Sequence, residues 1–426
     1  MSPILIPIFV LIIVFVLRIP IAIGMVSASV SYFLYVGQDL SMVTSKVLDV
    51  FYSQYTIMAV PLFIFTARIM NSGKVTNIIF EFANGLVGRF RGGTGHVNVI
   101  ASIIFSGMTG SAIADASGLG LMEIESMKDE GYDADFSCAV TAASATIGPV
   151  FPPSIPMIVY SMLSGASIGA LFLGGMIPGL MIGVALMIYI AFIATKRNYP
   201  YGVKKSLREF CKFSVMATPA LLTPVILLGG IYTGVITPTE AGALASAYAI
   251  IISVFVYKVL GFNELKQVIL DTAKSTGIVG IIVGSAATFS YIVAIEHIPE
   301  IFGNILLGVT TNKYILLLII NGIFLLLGMF IDTSIITLVF IPMILPLVTE
   351  LGIDLVHFGV MITLNMMIGL STPPFGMLLF IVSGVSKTPL EGIIKEVIPM
   401  VFVMIIVLFL VTFIPEIVLI LPRLLM

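Results

Sequence analysis

From Ile168 to Thr195 the chain runs for 28 residues without a charged side chain, longer than the roughly 20 residues a helix needs to cross the hydrocarbon core of a bilayer. In lipid every backbone N–H and C=O must find its partner within the protein, so such a run folds as a helix and constrains everything attached to it. Similar apolar runs lie at 3–17, 20–37, 57–71, 214–231, 240–257, 276–296 and 398–421. Composition agrees: 59% of residues are hydrophobic and 10% charged, against about 25% charged in soluble domains. The chain reads as an all-α polytopic membrane protein.

Several function classes fall away at once. A net charge of −2 offers no basic footprint for nucleic acid. Cys138 and Cys211 stand far apart without metal-ligand spacing, and no cofactor is expected. The run at 3–17 has no basic residue before it and no small-residue cleavage site, so it reads as a retained helix, not a signal peptide. The polar loops are too short for a soluble domain, so capture of a dilute ligand falls to another chain or to the membrane site itself.

Four regions do not read as simple spans: 96–121, 136–162, 314–349 and 357–386. Each is about two helices long and interrupted by glycine, proline or small polar residues. "IGPVFPPSIPMIVYS" from Ile147 and "IGLSTPPFGMLLFIVS" from Ile368 align their Ile-Gly and Pro-Pro pairs at an offset of 221. Gly107-Met108 and Gly328-Met329 stand at the same offset, and Pro20-x3-Gly24 answers Pro238-x3-Gly242 at 218. Proline removes a donor and clashes with the preceding turn, so a Pro-Pro pair can merely kink a helix. Duplicated at matched spacing, it points to two broken helices (136–162 and 357–386) and two re-entrant helical hairpins (96–121 and 314–349).

Orientation follows from the loop at 196–212, which carries six basic residues against one acidic and is cytoplasmic by the positive-inside rule. With both hairpins returning to their own side, sixteen of the 20 basic residues, Arg18, Lys204 and Lys205 among them, collect in the cytoplasm. Both termini then lie outside, and the Pro-Pro segments run in opposite directions. The repeat is therefore inverted, which is the architecture of secondary transporters. Ser206 before Glu209, Thr237 before Glu240 and Thr388 before Glu391 read as caps of surface helices.

Unwound backbone at membrane depth needs a polar cavity or protein around it, and its carbonyls can hold a small cation. Asp115 stands in the small-residue stretch "GSAIADASGLG"; it reads equally as an ion ligand and as a cap accepting backbone N–H groups at the hairpin tip. Asp332, in "GMFIDTS", does not align with Asp115 at 221. Thr109, Ser111, Ser117, Thr333, Ser334, Ser371 and Thr372 supply neutral oxygens, suited to a cation or a substrate hydroxyl, or to helix packing. Arg68 can meet an anionic substrate or reach out to the interface. His96, His297 and His357 fall at segment ends, and the charged run from Glu123 to Asp135 reads as a solvated cytoplasmic loop.

"GMTGSAIADASGLG" and "ATIGPVFPPSIPMIVYS", with "RIPIAIGM", "GMFIDTS" and "IGLSTPP", resemble the large membrane subunit of TRAP (tripartite ATP-independent periplasmic) transporters of the DctM type, and the likeness covers essentially the whole length. The resemblance implies a sodium-driven importer of small organic carboxylates in a bacterial or archaeal inner membrane. It implies two partners, a small four-helix membrane subunit and a periplasmic substrate-binding protein; with no small-subunit segment before residue 1, the small subunit is expected to be separate. A scaffold (1–95 and 201–313) is expected to hold still while a transport part (96–200 and 314–426) moves as an elevator. The implied first sodium site uses Thr109 and Asp115 with carbonyls around Gly148, Phe151 and Pro153. The second uses Asp332 with carbonyls around Gly369, Thr372 and Pro374. Ser111, Ser371 and Arg68 are the expected substrate contacts. Sodium rather than proton coupling is an implication of the resemblance, compatible with a lack of paired intramembrane carboxylates.

Three alternatives remain at this point. A self-sufficient ion-coupled carboxylate symporter of related fold would need no binding protein. A membrane-embedded enzyme would want clustered acidic metal ligands, and no such cluster is evident. A passive channel tolerates re-entrant hairpins, but duplicated broken helices favour alternating access.

Overall fold

The structure is a computed structural model that describes all residues except 1, 2, 18, 72 and 203–205; Arg18, Lys204 and Lys205, assigned above to the cytoplasmic face, lie outside the described residues. The first half comprises α1 (Leu5–Val16), α2 (Ile21–Val36), α3 (Ser41–Ser53), α4 (Ala59–Met70), α5 (Gly73–Val87), α6 (Gly93–Thr109), α7 (Ala112–Gly118), α8 (Gly120–Asp129), α9 (Ala134–Ala145), α10 (Ile155–Ser164) and α11 (Ile168–Lys196). The second comprises α12 (Leu207–Tyr232), α13 (Pro238–Ile251), α14 (Phe262–Ile295), α15 (Ile298–Val309), α16 (Lys313–Phe330), α17 (Thr333–Glu350), α18 (Leu355–Leu370), α19 (Met377–Ser386), α20 (Leu390–Phe413) and α21 (Glu416–Leu425). Among the described residues there is no strand, only an isolated bridge between Arg91 and Tyr201. α11, α12, α14, α16, α17, α20, and α13 continued to Val256, are long and apolar enough to cross a membrane.

The repeat read from the sequence governs the element order. At a displacement of about 221 residues α6 falls on α16, α7 with α8 on α17, α9 on α18, α10 on α19 and α11 on α20. α14 begins 221 residues after α3. It continues as one 34-residue helix where the first half has α3 and α4 bent by 75°. The expected hairpin at 96–121 is longer than its limits, running from Gly93 to Asp129. The expected single run at 398–421 is two helices, α20 and α21, parted where Pro415 cannot continue the backbone ladder.

The core lies on the first arms of the two broken helices. Every residue of α9 from Phe136 onward and every residue of α18 from His357 onward is buried. A helix apolar on all sides belongs inside a bundle, and α6, α11, α16 and α20 surround these two.

Two of the three predicted caps form. Ser206 and Glu209 close a capping box at α12, and Thr237 and Glu240 close another at α13. They start long helices of the bundle rather than separate surface helices. Thr388 makes no cap: Pro389 occupies the cap position of α20, without a side-chain bond.

Candidate ion and substrate site

Each hairpin seats on its own broken helix. α6 ends at Gly110, whose φ of +61° is a left-handed conformation that favours glycine. A Cβ on Gly110 would stand 2.5 Å from the Pro153 carbonyl oxygen, and one on Gly148 would stand 3.3 Å from the Ser111 carbonyl carbon. The first hairpin tip is thus pressed against the break at Thr146–Ser154. Ser154 closes that break, its hydroxyl donating to the Pro149 carbonyl and accepting from Met157 N–H to start α10.

The second hairpin repeats the arrangement with other residues. A Cβ on Gly369 would lie 2.8 Å from Gly328 Cα, so the backbones of α16 and α18 touch. Gly376 N–H donates to the Met329 carbonyl at 3.2 Å, joining the second break to the hairpin. Asp332 caps α17 by accepting from Ser334 N–H at 2.8 Å. It stands 221 residues after Ser111, which caps α7 by accepting from Ala114 N–H. Asp332 is therefore the counterpart of Ser111, which explains why it could not be aligned with Asp115.

Between the two tips lies a cavity of about 420 Å³. The hairpins contribute Thr109 to Ala114, Ser117, Asp332, Thr333 and Ser334; Pro149, Ile155 and Pro156 line it from the first break, and Met367 and Leu370 from α18. The opposite wall is Ile64, Ala67, Arg68 and Asn71 around α4, with Ser275, Ile278 and Val279 on α14. Arg68 is the cation of this lining among the described residues, and its Nη2 donates to Ser275 Oγ at 2.7 Å. It lines the cavity from the end of α4 and is exposed there.

Of the expected site residues, Thr109, Ser111, Asp332 and Arg68 meet around this cavity. Gly148 and Pro153 sit directly behind the first tip, as Gly369 does behind the second. Ser371 and Thr372 turn back on their own helix, both hydroxyls donating to the Ile368 carbonyl, and neither lines the cavity. Phe151 packs toward Gly179 of α11. Pro374 is exposed and is not among the residues lining the cavity.

Asp115 is not the cap of the hairpin tip; Ser111 holds that position. The Asp115 side chain is 1% exposed, and neither carboxylate oxygen has a hydrogen-bond partner. Two bare oxygens of a buried acid fit a cation ligand, since a buried carboxylate without compensation is costly.

Glu123 corrects a second expectation. It is 1% exposed rather than part of a solvated loop, and both its carboxylate oxygens are also without partners. The sequence hid it because Glu125, Lys128, Asp129 and Glu130 follow so closely that the segment reads as polar throughout. The available signal was that Glu123 precedes the buried Ile124 and falls four residues before the buried Met127. The embedded part of the hairpin therefore holds two acids where the sequence suggested one.

The sequence matches the family described as tripartite ATP-independent periplasmic transporter, DctM component, over residues 8–417. It is 44% identical to the sialic acid TRAP transporter large permease protein SiaM of Vibrio cholerae, over 87% of each chain. It is 39% identical to the sialic acid TRAP transporter permease protein SiaT of Haemophilus influenzae, over all of this chain and 69% of that one. Identity to the C4-dicarboxylate TRAP transporter large permease protein DctM of Pseudomonas aeruginosa is 35%, over 87% of this chain and 86% of that one. In structure the chain resembles the Alcanivorax borkumensis YdaH transporter, with a TM-score of 0.62 at 15% identity over 87% of this chain and 86% of that one, a likeness of fold.

Proposed function

The chain belongs to the DctM family of TRAP transporter large permease subunits, and we propose that it imports a small organic carboxylate by sodium-coupled alternating access, served by a small membrane subunit and a periplasmic binding protein. The observation that carries this reading is the seating of two hairpin tips on two broken helices around one cavity with a single cationic wall. Names of relatives with sialic acid and C4-dicarboxylates agree on an anionic cargo.

In this reading Arg68 supplies the positive charge for a substrate carboxylate and Ser275 holds its guanidinium in place. Ser111, Thr333 and Ser334 offer hydroxyls to the rest of the cargo. Sodium would be held at the first tip by Asp115 with carbonyls of the break near Pro153, and at the second by Asp332 with carbonyls near Gly369. The cavity lies between α4 and α14, assigned to the scaffold, and the hairpins, assigned to the transport part. Movement of the second against the first would carry cargo and ions together, as an elevator.

Reconstitution tests it: liposomes holding the chain and its small subunit are given the binding protein with labelled cargo, under an inward sodium or potassium gradient. Uptake that needs both sodium and the binding protein is the expected result. Uptake without any binding protein would favour the self-sufficient symporter, and sodium flux without cargo would favour a channel.

A further inference from the structure

Asp115 and Glu123 belong to one continuous helical ladder. Leu119 N–H donates to the Asp115 carbonyl at 3.0 Å and Glu123 N–H donates to the Leu119 carbonyl at 3.1 Å, so the turn between α7 and α8 is not a break. Eight residues along a helix correspond to two turns and about 12 Å of axial rise, with the two side chains on the same side. The carboxylates are too far apart to clasp one ion between them. Ser102 of α6 faces Asp115 without closing a hydrogen bond to either of its oxygens. Three side chains thus leave five buried polar atoms unpartnered in one hairpin, in a class of protein where such atoms are normally paired.

Neither acid is in an ion pair among the described residues. Around α8 the titratable side chains are Asp115 on α7, His96 on α6, and Asp135 and Cys138 on α9; α19 has none. On α8 itself Glu125, Lys128 and Asp129 are exposed. The helices packed against α8 thus carry no lysine or arginine among the described residues, and one sodium ion at Asp115 cannot neutralise both acids.

We propose that Glu123 binds a monovalent cation of its own, in a second site two helical turns beneath Asp115. The cation is either sodium or a proton, the two that can neutralise one carboxylate in so closed a space. This rests on the reading of Asp115 as a coupling-ion ligand. It adds one positive charge to the ions that travel with the first hairpin.

The test is equilibrium binding of ²²Na⁺ to the purified full-length chain with its small subunit in nanodiscs, for wild type, Glu123→Gln, Glu123→Asp and Asp115→Asn. If the cation is sodium, Glu123→Gln binds one ion fewer at saturation and Glu123→Asp, which keeps the carboxylate, retains it. If it is a proton, the number of ions is unchanged. Acidification then weakens wild-type sodium binding about tenfold more than it weakens Glu123→Gln, since two charges about 10 Å apart still interact at an effective dielectric near 20. Either result supports the site. Unchanged ion number with an unchanged pH profile in Glu123→Gln would overturn it. If Asp115→Asn alone loses an ion and acidification weakens sodium binding equally in wild type and Glu123→Gln, this inference fails while the transport reading stands; if wild type binds no sodium above the potassium background, both fail.

Discussion

In the proposed first ion site, Gly110 sets the geometry and Asp115 the charge. Alanine at Gly110 has to adopt φ +61° and bring its Cβ to 2.5 Å from a backbone oxygen. Strain of about 1–3 kcal/mol is the minimum expected, measurable as a lowered thermal midpoint together with lost uptake. Arg68→Gln removes the lining cation while leaving the hairpins intact. We expect the apparent KM for cargo to rise by roughly ten- to a hundredfold, with sodium-dependent stabilisation of the protein unchanged; loss of that stabilisation would place Arg68 in the fold of the ion site instead. Asp115 was legible because a lone acid among small residues stands out. Glu123 was not, because its burial depends on the packing of α8 against α9, and a sequence flanked by charges does not record which face is covered. Ser371 and Thr372 show that hydroxyls at a break bond their own helix as readily as a ligand.

The elements of the transport part were readable because proline and glycine act locally: the 221-residue displacement of the Pro-Pro pairs carries over to five successive element matches. Limits were less readable. α12 begins at Leu207 and α14 at Phe262, both ahead of the apolar runs; at α12 the Ser206–Glu209 capping box holds a first turn outside the apolar stretch, while α14 starts from Gly261 without a side-chain cap. Thr237→Ala should cost about 1 kcal/mol of stability, seen in chemical or thermal unfolding, since its hydroxyl both caps α13 and holds Glu240. The contact of α16 with α18 is backbone on backbone at Gly328 and Gly369. Gly369→Ala, whose Cβ would lie 2.8 Å from Gly328 Cα, should separate the second hairpin from its break. The expected outcome is lost uptake in a chain that still assembles with its small subunit; normal uptake would show that the second pair need not stay in contact.

For the molecule as a whole, the arrangement joins two half-repeats into one cavity with a hairpin tip on either side. Class and family were legible from hydropathy and from long motifs. The position of the cavity was not, because it is formed by residues as distant in sequence as Arg68, Ser111, Ser275 and Asp332. The central claim is that sodium is a structural ligand of the hairpins, with Asp115 holding it. The thermal stability of the purified protein in sodium against potassium, at equal ionic strength, tests this without any cargo, in wild type and Asp115→Asn. Sodium at a hundred times its dissociation constant should stabilise wild type by roughly 2.7 kcal/mol and the variant by clearly less. Equal stability in the two salts for wild type would contradict the account.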